Sequence, residues 1–163
     1  MIVVVMGVSG SGKTTVGREL AGLLGLPFYD ADNFHPASNV AKMTAGFPLT
    51  DDDRMSWLHV LSENIEGWER SGGGVLACSA LKEGYRRVLA EKVPDKIRFV
   101  HLHGTKERIV ERMKARTGHF MPVSLLDSQF STLEPPADAV VESIDDPPAA
   151  IARRIARRLG KEQ

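Results

Sequence analysis

The apolar run Ile2-Val-Val-Val-Met6 passes without interruption into Gly7-Val-Ser-Gly-Ser-Gly-Lys-Thr14 and then into an amphipathic stretch that reaches Leu24. A short run so rich in β-branched residues reads as a buried strand, the glycines as a tight turn, and Lys13 to Leu24 as a helix. A strand that turns straight into a helix has no hairpin partner. It needs a crossover to a parallel neighbour, with helices covering both faces of the sheet.

The rest of the chain repeats that alternation. Further strands are expected at Pro27 to Asp30, Gly74 to Cys78, Arg98 to Leu102 and Ala139 to Ser143. Helices are expected at Asp51 to Trp68, Ala80 to Glu91, Lys106 to Arg116 and Ala149 to Leu159. The fold class is therefore α/β: one five-stranded parallel sheet flanked by helices, in a single domain over residues 1–163. Two stretches fit no strand-helix unit. Residues 33–50 open an insertion that runs with the next helix to about residue 70, and residues 115–124 hold a Gly- and Pro-containing loop. Both stand where a substrate flap and a lid are expected, because closing segments exclude water from phosphoryl transfer.

Basic and acidic residues balance at 21 each, which excludes the net field that nucleic acid or an anionic membrane would require. An anionic ligand must be held by a local cluster. The apolar start has no basic flank and stops far short of a signal or spanning segment, so a cytoplasmic protein is expected. Cys78 is the only cysteine and closes an apolar run, so it reads as a core thiol, with no disulfide or thiolate metal cage.

Residues 7–14 match the phosphate-loop pattern G-x-x-x-x-G-K-[ST] in full. Gly7, Gly10 and Gly12 let the backbone curl around a nucleotide's phosphates, with Ser9, Ser11 and Thr15 completing the cradle. Lys13 reaches the β and γ oxygens, and Thr14 offers a hydroxyl to Mg²⁺. There is no Asn-Lys-x-Asp run for guanine, and no acid ends the strand at Val75-Leu-Ala-Cys78 as it would in an ATPase motor. The acids follow the second strand instead, as Asp30-Ala-Asp32. Alternation places both on one side at the sheet edge, where a γ-phosphate must sit. Asp30 is assigned to the metal and Asp32 to the base that takes the acceptor's proton; a capping role, common for Asp, is the competing reading.

Several cations are candidates for an anionic substrate. Thr50 with Asp53 reads as a capping box, and the acids of Asp51-Asp-Asp53 suit the dipole of a helix start. Arg54, however, shares a stripe with Leu58, Leu61 and Ile65 and needs an anionic partner: a substrate carboxylate or an internal acid. If Ser79 caps the next helix, Lys82 falls in its first turn against the dipole, with Arg86 four residues on along the same face. Arg108, Arg112 and Arg116 lead at helical spacing into Thr117-Gly-His-Phe120. Arg112 and Arg116, nearest the loop, are candidates to close over the phosphates, with His119 beside them and Arg108 at the surface. The Asp145-Asp-Pro-Pro148 loop is a candidate adenine edge. Arg153, Arg154, Arg157 and Arg158 read as the wet face of an amphipathic terminal helix.

With these motifs in place, the chain resembles the gluconokinase family of short P-loop kinases over nearly its full length. The resemblance rests on Gly7 to Thr14; Asp30-Ala-Asp32 with Asn33-Phe-His35-Pro36; Asn39 with Lys42-Met43; Gly46 with Pro48-Leu49; Asp51 with Asp53-Arg54 and Trp57-Leu58; Cys78-Ser-Ala-Leu-Lys82 with Tyr85-Arg86; Gly118-His-Phe120; and Gln129-Phe130 with Leu133-Glu134. Ser56 departs from it, since the family usually has Pro there. The resemblance implies an adenylate-kinase-like architecture and ATP- and Mg²⁺-dependent phosphorylation of D-gluconate at its 6-hydroxyl, in a homodimer. It also brings His35 and Gln129 in as substrate-binding candidates. A shikimate kinase and a nucleotide-binding regulatory subunit without chemistry are the two rival readings.

Overall fold

A computed structural model describes residues 1–115 and 123–161. Five parallel strands, β1 (Ile2–Met6), β2 (Phe28–Asp30), β3 (Gly74–Ala77), β4 (Ile97–His103) and β5 (Val140–Ser143), lie in the order β2-β3-β1-β4-β5. Seven α-helices accompany them among the described residues: α1 (Lys13–Leu24), α2 (Ala37–Thr44), α3 (Asp51–Arg70), α4 (Glu83–Ala90), α5 (Lys106–Lys114), α6 (Val123–Thr132) and α7 (Pro148–Lys161). The expected five-stranded parallel α/β architecture is present. None of these helices is long and apolar enough to cross a membrane.

All five residues of β1 are buried, as befits the middle strand of a sheet covered on both faces. Its side chains alternate between two cores. Val3 and Val5 join Val16 and Leu20 of α1 and Ile151, Ile155 and Leu159 of α7, whereas Ile2, Val4 and Met6 join Leu58, Leu61 and Ile65 of α3 and Leu89 of α4. Each buried aliphatic side chain is worth about 1.5–3 kcal/mol, so β1 anchors both layers. The wet face of α7 forms as read: Arg154 Nε donates to Glu142 at 3.0 Å and Arg158 to the Val141 carbonyl at 2.9 Å.

Three elements depart from the sequence reading. Residues 33–50 are not irregular, since they contain the short helix α2 and a 3₁₀ turn spans Ala31–Phe34. Helix α2 lacks a side-chain cap and is tied down from outside: Asn39 donates to the Asp53 carbonyl at 2.8 Å and Lys42 pairs with the Asp53 carboxylate at 2.7 Å. Helix α4 starts at Glu83 rather than Ala80, because Ala80 takes a left-handed φ of 45° and Lys82 is extended. Ser79 therefore caps nothing, and Lys82 is the residue at the N-cap. Helix α6 follows the lid region, which falls largely at residues 116–122, outside the described residues.

Candidate active site

The glycines of the phosphate loop do what their positions ask. Gly10 and Gly12 hold φ of 81° and 92°, a conformation that side chains disfavour, and Gly12 delivers the chain into α1. The loop, the end of β2 and the end of β3 enclose one cavity of about 700 Å³, lined by Ser9, Gly10, Gly12, Lys13, Thr14, Thr15, Asp30, Asp32, Ala77, Cys78, Ser79 and Gln129. This is the carboxyl edge of a parallel sheet, where such folds bind ligands.

Lys13 Nζ donates to the Gly7 and Val8 carbonyls at 3.1 and 3.0 Å. Burial lowers its pKa, and the charges of Asp32 and Asp30 act in the opposite direction. The Asp30 carboxylate divides its oxygens: Oδ1 accepts from the Asp32 amide at 3.0 Å and Oδ2 from Thr14 Oγ1 at 3.4 Å. Asp30 thus caps the 3₁₀ turn and also faces the loop threonine. A hydroxyl and a carboxylate side by side are hard oxygen donors that suit Mg²⁺, which keeps waters and completes its shell with phosphate oxygens. Asp32 is exposed into the same cavity. Cys78 is buried and its thiol is pushed up to about 12 by that burial, so it stays neutral and inert.

A second cavity of about 230 Å³ adjoins the first and shares Ser79 and Gln129 with it. Arg54, Trp57, Lys82 and Tyr85 line it, and Lys82 Nζ stands 5.6 Å from the centre of the Tyr85 ring. Arg54 is partly exposed and lines this cavity; among the described residues it pairs with the exposed Asp51 one turn earlier at 3.3 Å, through one of its several N–H donors.

Two expected contacts lie elsewhere. Arg86 is buried with its guanidinium spent on the Ala80 carbonyl at 2.7 Å and the Glu134 carbonyl at 2.8 Å, so it braces the Ala80–Lys82 turn and lines neither cavity. The late start of α4 explains this: the residue four after Lys82 points back beneath the turn. His35 stacks on Trp57 at 4.4 Å and contacts Asn39 at 3.4 Å, behind the cavity wall. Burial lowers the His35 pKa and the nearby Asp32 opposes it. Arg112 donates to the Ile144 carbonyl at 3.4 Å and lies over Gly12, while Arg108 pairs with Glu111 and Asp145. Arg116 and His119 lie outside the described residues.

Two residues that the sequence offered only as part of the family resemblance, without a role, contribute to the site. Trp57 donates from Nε1 to the Ala31 carbonyl at 2.8 Å, which pins the turn bearing Asp32 and walls the second cavity. Glu134 accepts from the Glu83 amide at 2.8 Å and so caps α4 from a distance of 51 residues. A buried Trp near a motif gave a faint signal for the first; nothing local betrays the second.

Known proteins bear on this geometry at two levels. The sequence pattern of the shikimate kinase family matches residues 9–159. A probable gluconokinase of Xenopus tropicalis is 49% identical over 152 residues, covering 84% of this chain and 80% of that protein. The gluconokinase of Gluconobacter oxydans is 49% identical over 137 residues, covering 83% and 76%. Among solved structures, a gluconokinase from Sinorhizobium meliloti superposes with a TM-score of 0.85 at 44% identity, over 99% of this chain and 96% of that one. The shikimate kinase of Aquifex aeolicus reaches 0.64 at 18% identity, covering 99% and 98%, a likeness of fold. The shared pattern places the chain among the shikimate kinase-like P-loop kinases, and within that group it belongs to the gluconokinase family.

Proposed function

We propose that this chain transfers the γ-phosphoryl group of ATP to the 6-hydroxyl of D-gluconate, giving 6-phospho-D-gluconate and ADP. The observation that carries the reading is the junction of two cavities: one holds the phosphate loop with Asp30 and Asp32, the other the cations Arg54 and Lys82. An acid substrate seated on Arg54 and Lys82 extends its far hydroxyl toward Asp32. The gluconokinase relatives at 42–49% identity support the choice of acid.

Chemistry follows from position. Loop amides and Lys13 hold the β- and γ-phosphates, and Lys13 offsets charge that spreads onto the transferring oxygens. Asp32 orients the attacking hydroxyl and accepts its proton as the new P–O bond forms and the bond to ADP breaks. Thr14 and Asp30 would hold Mg²⁺, which supplies further neutralisation of the β and γ oxygens when bound. Arg112, and Arg116 from the lid at 115–124, would cover the phosphates; His119 would meet the substrate, while Gln129, a substrate candidate in the sequence, has both ends of its amide on Ser9 and lines the junction instead. The Asp145–Pro148 loop, tied to α5 by the Arg108–Asp145 pair and just before it by Arg112 on the Ile144 carbonyl, is proposed for the adenine edge. A cytoplasmic homodimer is the working setting.

A coupled ADP-release assay with gluconate, shikimate and no acceptor tests the reading. Turnover with gluconate alone is expected. Turnover with shikimate alone would transfer the chain to its broader relatives' chemistry, and background rates throughout would leave only a nucleotide-binding subunit.

A further inference from the structure

Among the described residues only Ser79 and Gln129 line both cavities. Gln129 sits on α6, 120 positions from Ser9, yet grips it twice: Oε1 accepts from the Ser9 amide at 2.6 Å, and Nε2 donates to Ser9 Oγ at 3.0 Å. A primary amide is suited to this, since it presents one acceptor and one donor on a single plane. Further along the same segment, Glu134 grips the other cavity's wall. Its amide donates to the Leu81 carbonyl at 2.8 Å, its carboxylate accepts from the Glu83 amide at 2.8 Å, and its carbonyl accepts from Arg86 at 2.8 Å. Phe130 packs against one core and Leu133 against both, so the segment between the two grips is itself docked.

We infer that residues 129–134 form a positioning strut whose Gln129–Ser9 clasp fixes the phosphate loop at a set distance from the turn presenting Lys82. The clasp thereby aligns the acceptor hydroxyl, and not water, with the γ-phosphate. The inference rests on the proposed kinase reading. Gln129 acts through Ser9: one end of the strut is the loop that carries the donor, the other is the turn that carries the acid's anchor. In-line transfer is sensitive to a misplacement of about 1 Å, and a loosened junction admits water as a competing nucleophile.

The test compares the full-length chain with Gln129→Met, which keeps the bulk without the two hydrogen bonds, and Gln129→Ala. ADP and phosphogluconate are counted separately, and kcat and both KM values are measured. The parent is expected to release one ADP for each phosphogluconate. In both variants transfer should slow roughly 10–100-fold with each KM within about threefold, and ADP should exceed phosphogluconate. Should Gln129→Ala fail to fold, Gln129→Met answers alone. Parent-like kcat with matched ADP and product, or a rise in one KM only, would overturn the strut while leaving the kinase reading intact. A parent chain that makes no phosphogluconate would overturn both.

Discussion

Asp30 serves two neighbours at once, and that arrangement supports the different roles proposed for residues 30 and 32. With one oxygen on the Asp32 amide and the other facing Thr14, Asp30 is oriented and held; Asp32 remains exposed in the cavity and has room to meet a hydroxyl. Asp32→Asn should lower kcat by about 10²–10⁴-fold while ATP binding, followed by calorimetry, stays near the parent's. Arg54 is proposed to hold the end of the acid that does not react, so Arg54→Ala should raise the KM for gluconate about tenfold or more and leave kcat close to normal in steady-state kinetics. Both residues could be picked out in the sequence, Asp32 by its distance from a strand end and Arg54 by its place on an apolar stripe. Arg86 misled for a definite reason: the left-handed Ala80 delays the helix, and a one-dimensional pattern carries no sign of a buried guanidinium satisfied by two carbonyls.

At the level of elements, the start of α3 is a joint. The Thr50–Asp53 capping box opens that helix, and the same Asp53 carboxylate pairs with Lys42 of α2. Ser56, where the family usually has Pro, turns its hydroxyl onto the Asp52 carbonyl at 3.3 Å and leaves this joint undisturbed. The hydrogen bond from Lys42, followed by that from the Thr50 amide, lowers the Asp53 pKa from 3.8 to about 2. A depressed acid stabilises the fold fully above its unfolded pKa and loses that contribution as pH falls through the folded value. The α2–α3 joint is therefore expected to loosen between about pH 4 and pH 2. Hydrogen exchange at the amides of residues 37–44 should rise over that window, and Asp53→Asn should abolish the dependence. Trp57 links this joint to the chemistry, because Trp57→Phe leaves the Ala31 carbonyl without its donor; a loss of about 1–3 kcal/mol in denaturant unfolding is expected. The capping box was readable locally, as a Thr three residues before an Asp. The α2 anchor was not, since its partners lie in the next helix.

For the molecule as a whole, the parallel sheet does the assembling. Crossovers place the ends of β1, β2 and β3 side by side, so that residues 7–15, 30–32 and 78–82 converge although the sequence separates them widely. The alternation of apolar runs and helical patterns was enough to read this architecture, because two-sided burial leaves a strong periodic trace. The junction between the cavities was not legible: it depends on Gln129 and Glu134 returning from a distant helix. At this junction, on the proposed reading, an acceptor alcohol reaches the γ-phosphate with Asp32 beside it. Proton–phosphorus correlation NMR on the products of ATP, Mg²⁺ and D-gluconate tests it directly. A phosphate monoester coupled to the terminal methylene protons of gluconate is expected, appearing far more slowly with Asp32→Asn; inorganic phosphate alone, or an ester at another carbon, would overturn the assignment.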